Sequence, residues 1–193
     1  DKFGREVGVD SINLPYQSSN TKSDAVVLPE LDTSEMLDWF RKQIPAWDYT
    51  ELKGALATLV QDTNTDAGRK RSIQIITTLI DHRYPTGNMR RSSLVSLCEE
   101  ALNQVFERIK DSPSNLYQFI SAEQPLPESA HPNQVAVIDA RGYKPEGEHS
   151  VAMLLVELNK RGFCNFIIAN ARGHRFIGNG FGVDSTGIRI DVY

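Results

Sequence analysis

The hydrophobic period of this chain changes once, across the segment "EQPLPESAHPNQ", which places three prolines in twelve residues. Before it, apolar residues recur at helical spacing; after it, short apolar runs alternate with a single helical stretch. Because side chains repeat every 3.6 residues on a helix and every 2 on a strand, the two parts cannot share one kind of layer. The expected fold class is therefore α+β: an N-terminal helical bundle followed by a small β-α-β module. The expected division is an extended arm over residues 1–30, a bundle over 31–120, a Pro-rich linker over 121–133 and the module over 134–193.

The bundle rests on four stripes. Met36, Leu37, Phe40 and Ile44 follow a candidate N-cap at Thr33 or Ser34 and stop at Pro45. Leu52, Leu56, Leu59 and Val60 form the second, starting at Asp48 or Thr50, and Ile73, Ile76, Leu79 and Ile80 form the third, broken by "YPTGN". Leu94, Leu97, Cys98, Ala101, Leu102, Val105, Phe106 and Ile109 form the broadest. A further short helix is expected over "NLYQFISA". Each stripe must be covered by another, as in a bundle.

The tail "ANARGHRFIGNGFGVDSTGIRIDVY" holds five glycines: Gly173, Gly178, Gly180, Gly182 and Gly187. A phosphate-binding glycine loop needs a following helix, whose N-terminal amides meet the anion. Here "IRIDVY" follows, a strand pattern, and no Lys-Ser or Lys-Thr pair is present. The five glycines are instead expected at tight corners between the short strands "HRFIGNG" and "GIRIDVY", as in a stacked-coil or β-solenoid chain. Ile188, Ile190 and Val192 alternate with polar residues, so that strand has an apolar face and an edge requiring a partner.

The run "VIDARGYKPEGEHSVAMLLVELNKRGFCNFIIANARGHRFIGNGFGVDSTGIRIDVY" resembles the start of the Gly-x-Gly-x-Gly domain, the C-terminal module of the glutamate synthase large subunit. That module also occurs as a stand-alone protein and within formylmethanofuran dehydrogenase. The likeness lies in Ser150-Val151-Ala152 opening the helix, the strand ending "NARGHRFIG", the glycine-rich rung and "IRIDVY". It covers residues 134–193, and the family continues for several more coils. The resemblance implies the start of a right-handed parallel β-helix, acting as framework between catalytic units. The family enzyme's N-terminal cysteine nucleophile, iron–sulfur cysteines and flavin site have no expected counterpart in a sequence that starts at Asp1 and holds only Cys98 and Cys164.

Two cysteines 66 positions apart make neither a disulfide framework nor a metal clip, and a reducing cytoplasm is the expected location. No run approaches the roughly 20 apolar residues that cross a bilayer, so no membrane partner is expected. The net charge of −4 gives no general attraction to nucleic acid. Locally, Arg69, Lys70, Arg71, Arg83, Arg90 and Arg91 face only Asp81 as counter-charge, and could form a phosphate-contacting stripe. A Cys164 thiol with His149 or His174 as base, and a cluster of Asp139, Arg141, Glu146 and Glu148 at a strand-to-helix connection, are the candidate chemistry. Core packing and solvation account more simply for each. The four histidines lack metal-ligand spacing, and no catalytic, cofactor or metal residues are assigned. Trp47, beside Trp39 and Phe40, is either core or an interface anchor, and Ile188, Ile190 and Val192 are candidate interface residues.

The function expected first is a non-catalytic scaffold or assembly subunit that docks on a protein partner or on itself, in a glutamate synthase-like or ammonia-handling complex. The alternatives are a nucleic-acid-binding helical protein using the Arg69–Arg91 stripe, and a small enzyme with a site at residues 139–149.

Overall fold

A computed structural model describes residues 26–112, 114–182 and 186–193. Most of the expected arm, residues 1–25, lies outside the described residues. Residues 26–31 are neither helix nor strand, and Val26, Leu28 and Leu31 pack against the core.

Four helices come first: α1 Thr33–Gln43, α2 Tyr49–Gln61, α3 Asp66–Asp81 and α4 Arg91–Asp111. Asp32, one residue before the expected cap, starts α1: its carboxylate accepts from the Glu35 amide, and Glu35 accepts from the Asp32 amide. The same reciprocal pair, Asp48 with Glu51, starts α2. Each box satisfies two amides that a helix start would leave bare. Thr65 caps α3 through the Gly68 amide. The α4 start at Arg90 has no side-chain cap, so that helix depends on its packed stripe.

The remaining elements are β1 Tyr117–Ile120, β2 Val135–Asp139, α5 Val151–Lys160, β3 Asn165–Ala169 and β4 Arg189–Val192. The strands form one parallel sheet in the order β1-β2-β3-β4. The fold class is α+β.

Two local expectations are corrected. "NLYQFISA" holds strand β1, not a helix: the Ser114 hydroxyl accepts from the Leu116 and Tyr117 amides and turns the chain into the sheet. The first strand thus comes from within residues 31–120. "HRFIGNG" is a series of turns, with no strand among residues 174–180.

Strand alternation divides the core in two. Tyr117, Phe119, Val137, Ile167 and Ala169 point to one face and join the cluster built by α1–α4. Ile120, Ala136, Ile138, Phe166 and Ile168 point to the other, against Val151, Leu154, Leu155 and Leu158 of α5. A parallel sheet is ordinarily covered on both faces, and each fully buried large apolar side chain contributes about 1.5–3 kcal/mol. The helices thus cover the sheet directly, and the first hydrophobic cluster runs from Met36 to Ala169.

Candidate ligand-binding cleft

The carboxyl ends of parallel strands are where open α/β sheets place ligands, because the chain leaves each strand there by a loop. At this end β2 and β3 leave the sheet by a shared Ala-Arg-Gly, Ala140-Arg141-Gly142 after Asp139 and Ala171-Arg172-Gly173 after Asn170, the second lying one residue further on in the strand register. Gly142 and Gly173 have φ of 87° and 84°. This left-handed geometry suits glycine and turns the chain immediately beyond each arginine. Asn170 is itself left-handed, at φ 58°, a conformation asparagine tolerates better than most residues.

The two corners and one face of α4 enclose a cavity of about 1000 Å³. Ser96, Glu99, Asn103 and Glu107 recur at three- and four-residue intervals along its α4 wall. Val60, Leu102 and Ala169, each at most 5 % exposed, back the cleft, and half-buried Tyr193 lines it.

Arg141 is held from beneath. Its Nε donates to both Asp139 carboxylate oxygens at 2.9 Å, and its Nη2 donates to Oδ2 at 2.6 Å. The Arg141 amide donates to Oδ1 at 3.1 Å. The Asn170 amide group donates to Asp139 Oδ1 at 3.1 Å and to Asn103 Oδ1 at 3.3 Å, tying both corners to α4. Burial pushes the Asp139 carboxyl up, but hydrogen bonds from Arg141 and Asn170 outweigh it and hold the group below its ordinary range. The Asp139 side chain is 13 % exposed and that of Arg141 64 %, so the anchor is sheltered while the guanidinium reaches solvent.

Both arginines also approach α4. Arg141 Nη2 lies 3.6 Å from Glu107 and Arg172 Nη2 lies 3.4 Å from Glu99. These contacts are longer than the Asp139 pair, and their partners are substantially exposed, which makes them weak.

The expected basic stripe loses one member. Arg69 is 3 % exposed, donating to the Thr63 carbonyl at 3.1 Å and to Asp66 at 2.9 Å. It is corrected from phosphate contact to a buried tie between a turn and a helix start. Arg71 bonds the Leu31 carbonyl and Asp62; Arg91 bonds the Ile80 carbonyl and lies over the Tyr84 ring. Lys70, Arg83 and Arg90 are exposed.

Cys164 precedes β3 while His174 follows it, so the five-residue strand separates them by about 16 Å at 3.3 Å per residue. His149 precedes α5 and lines a separate shallow pocket with Glu148. Neither imidazole is brought to the thiol. Of the acidic connection, Asp139 and Arg141 belong to the cleft; Glu146 and Glu148 are exposed elsewhere. Trp47 is half-buried and meets Trp39 and Phe40 edge-on, at 5.3 and 5.7 Å between ring centres, which makes it core packing. Ile188 and Ile190 are half-buried against the α5 cluster, and Val192 is 47 % exposed.

Gly173, Gly178, Gly180 and Gly187 have positive φ; Gly182 does not. Gly180 also permits close approach, since a Cβ there would lie 3.3 Å from Val156, whereas one on Gly178 would meet Ile190 at an ordinary 3.5 Å.

The twin Ala-Arg-Gly corners are the signal that a search for glycine-only motifs passes over. The recurrence is short, but it follows two strand patterns, offset by one residue in the register. No protein-family model, curated protein or solved structure matches the chain. Among the described residues, no group of His, Cys, Asp and Glu side chains is arranged to hold a metal ion, and no helix is long and apolar enough to cross a membrane.

Proposed function

We propose that the protein binds a small ligand through an anionic group, carboxylate or phosphate, in the cleft at the carboxyl ends of β2 and β3. The observation that carries this reading is the pair Arg141 and Arg172, set at matching corners beside a cavity of about 1000 Å³. That volume suits a small molecule. Guanidinium groups match the planar, two-oxygen geometry of such anions, and Asp139 fixes Arg141 before a ligand arrives. The test is thermal stabilisation of the intact chain by a panel of carboxylates, amino acids and phosphate monoesters. At least one should raise the melting temperature, and the double variant Arg141→Gln, Arg172→Gln should lose that shift. Shifts that survive the double substitution, or none across the panel, would exclude the reading.

A second reading, a non-catalytic scaffold of glutamate synthase type docking on a protein or on a second copy, is favoured by one observation. Among the described residues, strand β4 has a neighbour on one side only, and Val192 on it is 47 % exposed, the arrangement of an edge open to pairing. Molar mass by light scattering tests self-association, and Val192→Lys should abolish any dimer seen.

A further inference from the structure

We infer that the cleft's ligand carries a dipolar α-amino-acid headgroup, its carboxylate taken by Arg141 and its ammonium by Glu107, with its side chain in the rest of the cleft. The inference rests on the preceding reading of the cleft as an anion-binding site and specifies what else the ligand must carry.

The charge of the cleft argues against a simple anion. Glu99, Glu100 and Glu107 line it beside Arg108, Arg141 and Arg172, and Asp139 adds a fourth carboxylate directly beneath Arg141. Glu100 is further engaged by Lys53 at 3.3 Å and Arg108 approaches the Gln61 carbonyl at 3.5 Å. The resident counter-charges are therefore Glu107 on Arg141 and Glu99 on Arg172, with Glu107 lying also 3.8 Å from Lys110.

An incoming carboxylate on Arg141 must displace Glu107 or share the guanidinium with it. A plain acid leaves Glu107, with Lys110 at 3.8 Å as its remaining cation, beside a second negative charge, a repulsion that solvent lessens because Glu107 is half exposed. An ammonium one carbon from the carboxylate removes that conflict, because it offers three donors to the displaced glutamate. The exchange conserves charge: one ion pair opens and two form. The 3.6 Å separation of Arg141 from Glu107 marks the weaker of Arg141's two acid contacts and the one free to open. Asp139 remains bound throughout by the two 2.9 Å hydrogen bonds from Nε, which Glu107 does not share; its 2.6 Å bond comes from Nη2, the nitrogen that Glu107 also faces.

Three compounds of nearly equal shape separate these possibilities: L-phenylalanine, 3-phenylpropionate, which lacks the ammonium, and 2-phenylethylamine, which lacks the carboxylate. Calorimetric titration of the intact chain should give L-phenylalanine an affinity at least about tenfold above either analogue, the size expected when one charged hydrogen-bonded partner is missing. Glu107→Gln should weaken L-phenylalanine, strengthen 3-phenylpropionate and bring the two together. Arg141→Gln should weaken both acids, with the melting temperature of each variant confirming that it is folded. Equal affinity of L-phenylalanine and 3-phenylpropionate for the unsubstituted protein overturns the inference, as does a preference that Glu107→Gln leaves unchanged, or absence of binding by all three. If 3-phenylpropionate binds as tightly and still requires Arg141, only the dipolar headgroup fails and the anion site stands. If no acid requires the arginines, both fail.

Discussion

Cys98 and Cys164 place the same thiol in opposite surroundings. Cys98 is fully buried in the α4 stripe; burial pushes its pKa up to about 12, Arg91 pulling against this and Glu99 adding to it. Cys164 is exposed at the head of β3. Thiol reagents attack the thiolate, so at pH 8 the folded protein should release one equivalent in an aromatic-disulfide assay and the denatured protein two. Two equivalents under native conditions would contradict the packing of α4. The same raised pKa fixes a pH direction: the unfolded thiol ionises near its ordinary 9.0 while the folded one does not. Its contribution to stability is intact below pH 9 and is lost as pH rises toward 12. Single residues were unevenly legible in the sequence. Cys98 could be placed because seven apolar neighbours share its stripe, whereas Arg69 could not. A charge count sees only that Arg69 lies beside Lys70 and Arg71; its burial depends on the turn at Thr63 folding back under α3.

At the scale of elements, two helical glycines make opposite forecasts. In α2, a Cβ on Gly54 would meet only Val26, at an ordinary 3.6 Å. Gly54→Ala should therefore stabilise by about 0.5–1 kcal/mol, the gain from removing glycine's backbone freedom. In α3, a Cβ on Gly68 would lie 1.9 Å from the Asp62 carbonyl oxygen. Gly68→Ala should lose roughly 1–3 kcal/mol despite alanine's better helix propensity. Urea denaturation of the two variants checks both signs, and a gain at Gly68 would mean that the α2–α3 turn is looser than described. The four long helices were legible because eleven or more residues carry each period. Strand β1 has four residues, too few for a period, and exists because β2 pairs with it. The cleft was half legible. Asp139 and Arg141 stand together in sequence, but Asn103, Glu99 and Glu107 reach them only when α4 packs across the sheet ends.

On the scale of the whole molecule, the Pro-rich segment separates periods in the sequence without separating cores in space. Val137, Ile167 and Ala169, from beyond it, lie in the same cluster as Phe40 and Leu59. The two halves should consequently unfold together. Fluorescence from Trp39 and Trp47, the only tryptophans and both in the helical part, should share its urea midpoint with loss of amide-exchange protection in β2 and β3. Separate midpoints would restore the division at residues 121–133. The second face of the sheet is covered differently. Among the described residues, α5 is the one helix that lies there, and turns between β3 and β4 add to the cover, where Phe181 rests 6.5 Å from Phe166 and Ile177 joins the same cluster. Those glycine-cornered turns thus act as roofing rather than as a cradle. A nick within them would leave the arginine corners in place while wetting the hydrophobic underside of β3 and β4, and the first symptom of such damage would be clumping rather than a lapse in ligand uptake.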